Sequence, residues 1–82
     1  MNGYLVIAAY ILIQTEPGTA AIVAAALRDV PGVSETASLA GPYDAIARAQ
    51  ARDMDELARL VTSQVQALDG VTRTISCPVV HL

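Results

Sequence analysis

The stretch Ser38-Leu39-Ala40-Gly41-Pro42-Tyr43-Asp44-Ala45-Ile46 ends one alternating apolar segment and begins another, and it decides the fold. Pro42 fixes its φ near roughly −65°, which excludes the tight hairpin turns that need a positive φ. Tyr43 at the next position disfavours a type II turn, which needs glycine there. The stretch therefore predicts a type I turn with Pro42 at its second position, within a loop of more than two residues.

Strands are predicted on both sides of this loop. Val33 to Ala40 alternates between two sets of side chains: Val33, Ala37 and Leu39 on one face, and Ser34, Thr36 and Ser38 on the other. Ala45 to Arg52 alternates more clearly, with four alanines on one face and Ile46, Arg48, Gln50 and Arg52 on the other. Successive strand residues point to opposite faces, so the small alanine face lets a helix approach closely.

The outer parts of the chain complete two similar halves. Val6 to Ile13 is apolar on both faces, which is typical of a buried strand. A helix capped by Thr19 and ended by Pro31-Gly32 follows it. The second helix begins at a capping box of Asp53 and Glu56 and ends at Asp69-Gly70.

Val71 to Val80 is the last predicted strand. Its inward positions are predicted to be Val71, Ile75, Cys77 and Val79, and its outward positions Thr72, Thr74 and Ser76. The two halves align at an offset of 38 residues, the distance from Gly32 to Gly70 (70 − 32), and each is strand, helix, strand. This order predicts an α+β, ferredoxin-like β-α-β-β-α-β fold in a single domain over residues 1–82. In that fold a four-stranded antiparallel sheet carries both helices on one face.

The other face of that sheet is predicted to bind a partner. Its apolar positions are Val6, Ala8, Tyr10, Leu12 and Ile46, with Arg48, Gln50, Thr74 and Ser76 toward a polar rim. An apolar patch of this kind marks an interface, and a twofold axis buries the same patch twice. We therefore expect a homodimer that packs sheet on sheet.

Composition excludes several classes of function. The net charge is −3 and the five arginines are scattered, so no basic face is available for direct nucleic-acid binding. The longest apolar run, Leu5 to Ile13, is too short to span a membrane. A single cysteine and a start without basic residues favour a cytoplasmic setting. Cys77 and His81 are too far apart on a strand to share a metal, and neither a cofactor site nor a catalytic set is predicted.

The loop itself carries the chemistry of a binding site. Amides of Tyr43 and Asp44 left outside the strand ladder can hold a carboxylate, and the Asp44 carboxylate can hold an ammonium group. Together they match the head group of an α-amino acid. The alternative is that Gly41-Pro42 only turns the chain, Tyr43 packs, and Asp44 caps the turn.

Gly41-Pro42-Tyr43-Asp44, followed by a helix and by Asp69-Gly70-Val71-Thr72-Arg73-Thr74, resembles the effector (RAM) domain of Lrp/AsnC-type transcription regulators. The resemblance implies dimers that assemble into rings, usually of four dimers, with amino acids bound between dimers near the loop. It carries Gly41, Tyr43 and Asp44 to the ligand site, with Ser38, Thr74 and Ser76 as neighbours. Pro42 departs from the family's pattern and stiffens the loop.

The chain also departs from the family by starting almost directly on the first strand, which leaves no helix-turn-helix. We therefore expect a stand-alone effector domain that is not an enzyme, binds no DNA itself, and associates with itself or with full-length Lrp/AsnC regulators. Two alternatives stay open: a dimeric ferredoxin-like-barrel enzyme of the monooxygenase or isomerase type, and a purely structural ring-forming protein.

Overall fold

The computed structural model describes residues 6–80, and its elements follow the predicted order. They are β1 (Ile7–Thr15), α1 (Ala20–Leu27), β2 (Val33–Ser38), β3 (Ala45–Ala51), α2 (Met54–Leu60) and β4 (Val71–Pro78). A π-helical segment, Val61–Val65, continues α2. The strands pair antiparallel in the order β2-β3-β1-β4, so the ferredoxin-like prediction is confirmed.

The core lies between the helices and the alanine face of β3. The four alanines of that face are buried, as predicted, and Ile11 and Ile13 of β1 are fully buried beside them. The buried apolar residues that the helices contribute to this core are Val23, Ala24, Leu27, Leu57, Leu60, Val61 and Val65. The small alanine side chains therefore set how closely the helices approach the sheet.

The two helices begin differently. Asp53 accepts a hydrogen bond from the Glu56 amide at 2.8 Å, as a capping box requires. Glu56 reaches one residue further back than expected and accepts from the Arg52 amide at 2.7 Å and from Arg52 Nε at 3.0 Å. These two hydrogen bonds, the backbone one first, lower the pKa of Glu56. Thr19 precedes α1, but its hydroxyl donates to the Glu16 carbonyl, so its predicted side-chain cap is wrong.

An extra residue at the start of β2 changes which side chains face the helices. Val33 lies opposite Ala49 but Glu35 lies opposite Arg48, so Ser34 is a β-bulge. Directly opposed residues share a face, so Thr36 lies on the helix-covered face and Ala37 on the open face, next to Ile46. The predicted grouping of Ala37 with Val33 is therefore wrong.

A second bulge at the equivalent position of the other half has the same effect on β4. Thr15 lies opposite Val71 and Gln14 opposite Arg73, which leaves Thr72 as the extra residue. The inward and outward predictions are consequently reversed beyond it. Thr74 and Ser76 lie on the helix-covered face, opposite Ile13 and Ile11, whereas Ile75 and Cys77 lie on the open face, opposite Leu12 and Tyr10.

The open face is more apolar than predicted because of these two bulges. To the expected Ala8, Tyr10, Leu12 and Ile46 it adds Ala37, Ile75 and Cys77. Tyr10 is 43% exposed and Val6 55%, while Ala8 is already buried within the protomer. Association through this face therefore stays a prediction, with Tyr10 as its largest uncovered side chain. Within residues 6–80, no helix is both long and apolar enough to cross a membrane.

Candidate functional site

Residues 39–44 connect β2 to β3 and form the predicted long loop. The Leu39 amide donates to the Asp44 carbonyl at 2.9 Å and closes the loop at its base. Gly41 has no positive φ, and a methyl group placed on it would meet no atom within 4 Å. The tip of the loop therefore stands free of the rest of the protomer.

Asp44 is held in place by two bonds to β1. Its amide donates to the Ile13 carbonyl at 2.8 Å, so the predicted free amide at this position is wrong. Its Oδ2 atom accepts from the Thr15 amide at 2.8 Å in a part-buried bond. The pairing of β1 with β3 ends at Ile13 and Ala45. The Thr15 amide lies past that end, and the Asp44 carboxylate accepts its hydrogen bond in place of a β3 carbonyl.

Gln14 anchors the loop at a second point, which was not predicted from the sequence. Its Nε2 atom donates to the Pro42 carbonyl at 2.9 Å. The signal was present in the sequence, because Gln14 is the first polar side chain after the apolar run of the first strand. Thr15 and Gln14 together hold the loop against the end of β1.

The structure brings only part of the predicted site together. Pro42 and Asp44 lie at the end of β1 with Gln14 and Thr15, and the half-buried Tyr43 lies between them in sequence. The Tyr43 amide has no hydrogen-bond acceptor among residues 6–80 and stays available.

Three other predicted residues lie elsewhere. Ser38 is opposite Ala45, on the side of the sheet that the helices cover. Thr74 accepts a hydrogen bond at 2.9 Å from Gln66, which follows the π-helical segment. Ser76 lines an apolar cleft of about 400 Å³ beside α2. Thr74 and Ser76 are thus on the opposite sheet face from Gln14 and, within one protomer, do not border the loop.

The described residues contain no group of three His, Cys, Asp or Glu side chains that could hold a metal ion. Cys77 is exposed, and His81 lies outside the described residues.

The element order and the strand pairing define a ferredoxin-like α+β domain. The model of the Lrp/AsnC ligand binding domain matches residues 8–81, and the chain belongs to this family. The family makes the chain a regulatory effector domain. A comparison with curated protein sequences gives no match.

Solved structures agree with this assignment. TTHA0845 from Thermus thermophilus is 32% identical, with a TM-score of 0.86 over 93% of this chain and 95% of that one. Escherichia coli AsnC is 22% identical, with a TM-score of 0.86, and shares the fold over 98% of this chain but 54% of its own. The regulator NMB0573 from Neisseria meningitidis, solved in complex with L-Met, is 25% identical over 92% of this chain and 50% of its own, with a TM-score of 0.81.

Proposed function

We propose that the protein is an amino-acid-binding effector module that associates with itself and takes part in the transcriptional regulation of amino-acid metabolism. One observation carries the proposal: residues 39–44 are anchored to β1 by Asp44 and Gln14, while Gly41 at the loop tip is exposed and a Cβ atom on it would meet nothing within 4 Å. A loop that is fixed at its base and open at its tip is preorganised for a ligand, because little ordering remains to be done on binding.

The chemistry of the loop suits the ammonium end of an amino acid. Asp44 uses Oδ2 for the Thr15 amide, which leaves Oδ1 to accept from a ligand. Tyr43, the residue before Asp44, is half-buried and adds an aromatic side chain to the loop. NMB0573, which was solved with L-Met, supports amino acids as the ligand class.

Self-association uses the open sheet face. Tyr10, Leu12 and Ile75 occupy neighbouring positions on that face, and a second copy would remove them from water. Sedimentation at micromolar concentration should show a dimer or a larger assembly of dimers. A stable folded monomer under those conditions would contradict the proposed interface.

DNA contact is assigned to another polypeptide. The chain carries a net charge of −3, and only two of its five arginines, Arg48 and Arg73, lie on the open sheet face. Binding to the phosphate backbone of DNA needs a cluster of positively charged side chains on one face, and two arginines do not form one. Mixed assembly with full-length Lrp/AsnC regulators in the cytoplasm would connect ligand binding to transcription.

Thermal unfolding in the presence of each of the twenty L-amino acids tests the binding proposal. A ligand at 100 times its dissociation constant stabilises a protein by about 2.7 kcal/mol, which is easily measured for a small domain. Asp44→Asn is the decisive variant, because its side-chain oxygen can still accept from the Thr15 amide but carries no charge for an ammonium group. We expect Asp44→Asn to unfold near the wild-type temperature and to lose the stabilisation.

Asp44→Ala is the matched comparison, since it removes both the charge and the acceptor for Thr15. It should lose the ligand response and also about 1 kcal/mol of stability through the lost hydrogen bond. If Asp44→Asn responds to amino acids as the wild type does, the loop does not hold the ammonium group. If no amino acid stabilises the wild type, the purely structural alternative is favoured, and turnover of a bound compound would favour the enzyme.

A further inference from the structure

We propose that Arg73 binds the carboxylate of the amino acid whose ammonium group Asp44 holds. The inference rests on the proposed function and assigns the second half of the same site. It makes Arg73 a determinant of specificity for free amino acids over amines and esters.

The first observation is the position of Arg73. The bulge at Thr72 places Arg73 directly opposite Gln14, on the open face of the sheet. Gln14 is the residue whose side chain binds the Pro42 carbonyl of the loop. Side chains directly opposed on one face of an antiparallel pair are neighbours, with Cβ atoms about 5 Å apart. Arg73 therefore lies next to the anchor of the loop.

The second observation is a shortage of donors at the loop. A ligand carboxylate has two oxygens that need several N–H groups, but the Asp44 amide is bonded to the Ile13 carbonyl, so of the two predicted loop donors only the Tyr43 amide is available. The Gln14 side-chain amide already donates one bond, to Pro42. An anion at this site therefore needs a further donor, and a guanidinium group is the side chain best matched to a carboxylate because it forms two parallel hydrogen bonds.

The third observation is that Arg73 is available. It is exposed, and the ion pair found within residues 6–80 joins Arg52 to Glu56. Arg48 also lies on the open face, but it is opposite Tyr10, four residues along β1 from Gln14 and therefore about 13 Å away. Arg73 is thus the cation of this face that lies beside the loop.

The geometry sets the direction in which a ligand would lie. Asp44 extends the β3 side and Arg73 belongs to β4, with β1 between them, so the two backbones are about 9.5 Å apart. The long side chain of Arg73 can extend toward Asp44, so a ligand has to bridge less than the distance between the two backbones. An amino acid would then lie across the end of β1, with its ammonium group toward Asp44 and its carboxylate toward Arg73.

Thermal-shift titrations with the twenty L-amino acids and their methyl esters test this assignment on the wild type, Arg73→Gln, Arg73→Lys and Arg28→Gln. Arg28 follows α1 and borders a cleft with residues 33–36 of β2 instead of the loop at residues 39–44, so Arg28→Gln is the control for the loss of one arginine. For the amino acid that stabilises the wild type, we expect Arg73→Gln to lower the binding affinity by roughly tenfold or more. This is the loss expected when a hydrogen bond to a charged group is removed. Arg73→Lys should keep part of the affinity, and Arg28→Gln all of it.

The methyl esters separate carboxylate binding from a structural role. An ester keeps the ammonium group and side chain but has no carboxylate charge, so its affinity should be the same for Arg73→Gln and the wild type. Equal losses for the acid and the ester would overturn the assignment. If Arg73→Gln binds the amino acid as the wild type does while Asp44→Asn does not, the assignment is wrong and the proposed function stands. If the wild type responds to none of the amino acids, both are overturned.

Discussion

The turns before the two edge strands and the loop at residues 39–44 all contain glycine, but for different reasons. Gly32 precedes β2 and Gly70 precedes β4, at equivalent positions of the two halves, and each has a φ of +97°. That region of backbone space is costly for residues with a Cβ atom. Gly41 has no positive φ.

Packing separates the same positions further. A Cβ atom on Gly70 would lie 2.8 Å from Thr19 Oγ1 and 3.1 Å from Val23 Cγ2, whereas one on Gly41 would meet nothing within 4 Å. The fold therefore requires glycine at the two turns and does not require it in the loop. A requirement for glycine at position 41 would therefore have to come from a ligand or a second protomer at the loop tip.

Gly70→Ala should have the largest effect on stability. The substitution combines a strained φ with contacts to Thr19 and to the fully buried Val23, neither of which can move away easily. We expect a loss of about 3 kcal/mol in the free energy of unfolding. Urea denaturation of the purified variant measures it, and a change below about 1 kcal/mol would mean that the turn relaxes and the contrast with Gly41 is weaker than the contacts imply.

Gly32→Ala should be the milder change of the two. Its new Cβ atom would lie 2.7 Å from Leu60 Cδ1, which is the end of a flexible side chain, and 3.2 Å from the Gln50 carbonyl oxygen. The strained φ remains, so we expect a loss of about 1–2 kcal/mol by the same denaturation measurement. A loss greater than that of Gly70→Ala would show that Leu60 cannot shift within the core.

The fold was predictable because its signals are local and repeated. The alternation of alanines in Ala45–Ala51 identified a helix-covered face, and Asp53 with Glu56 identified the start of α2. The glycines at 32 and 70 marked both returns to the sheet. Each of these signals depends on residues within about two turns of helix or one strand, so tertiary contacts did not have to be known.

The faces of the edge strands were not predictable in this way. One extra residue in a strand reverses every later side chain, and an alternating pattern contains no mark of it. Ser34 and Thr72, the two bulge residues, look like ordinary polar strand positions in the sequence. In the structure the Ser34 hydroxyl lies 3.2 Å from the Arg48 carbonyl and donates to it. The extra residue in β4 puts Thr74 and Ser76 on the helix-covered face and Arg73 on the open face, opposite Gln14.

The polar residues of the candidate loop are visible in the sequence, but their hydrogen bonds are not. The carboxylate of Asp44 stood out in the loop, yet its partner Thr15 is 29 residues away in sequence. Which β1 amide lies beyond the end of β3 depends on strand register, which the sequence does not specify at single-residue precision. The anchored base of the loop therefore became visible only with the pairing of β1 and β3.

Gly41→Ala should have the smallest effect on stability and is the sharpest test of the comparison. With no strained φ and no neighbouring atom, alanine should leave the free energy of unfolding unchanged or raise it by up to about 1 kcal/mol, because it restricts the unfolded chain. If a ligand or a second protomer approaches the loop tip closely, the same methyl group should still weaken the thermal shift caused by an amino acid. Gly70→Ala, corrected for its lower starting stability, should keep that shift. A Gly41→Ala variant with both normal stability and normal ligand response would show that position 41 serves neither the fold nor the site.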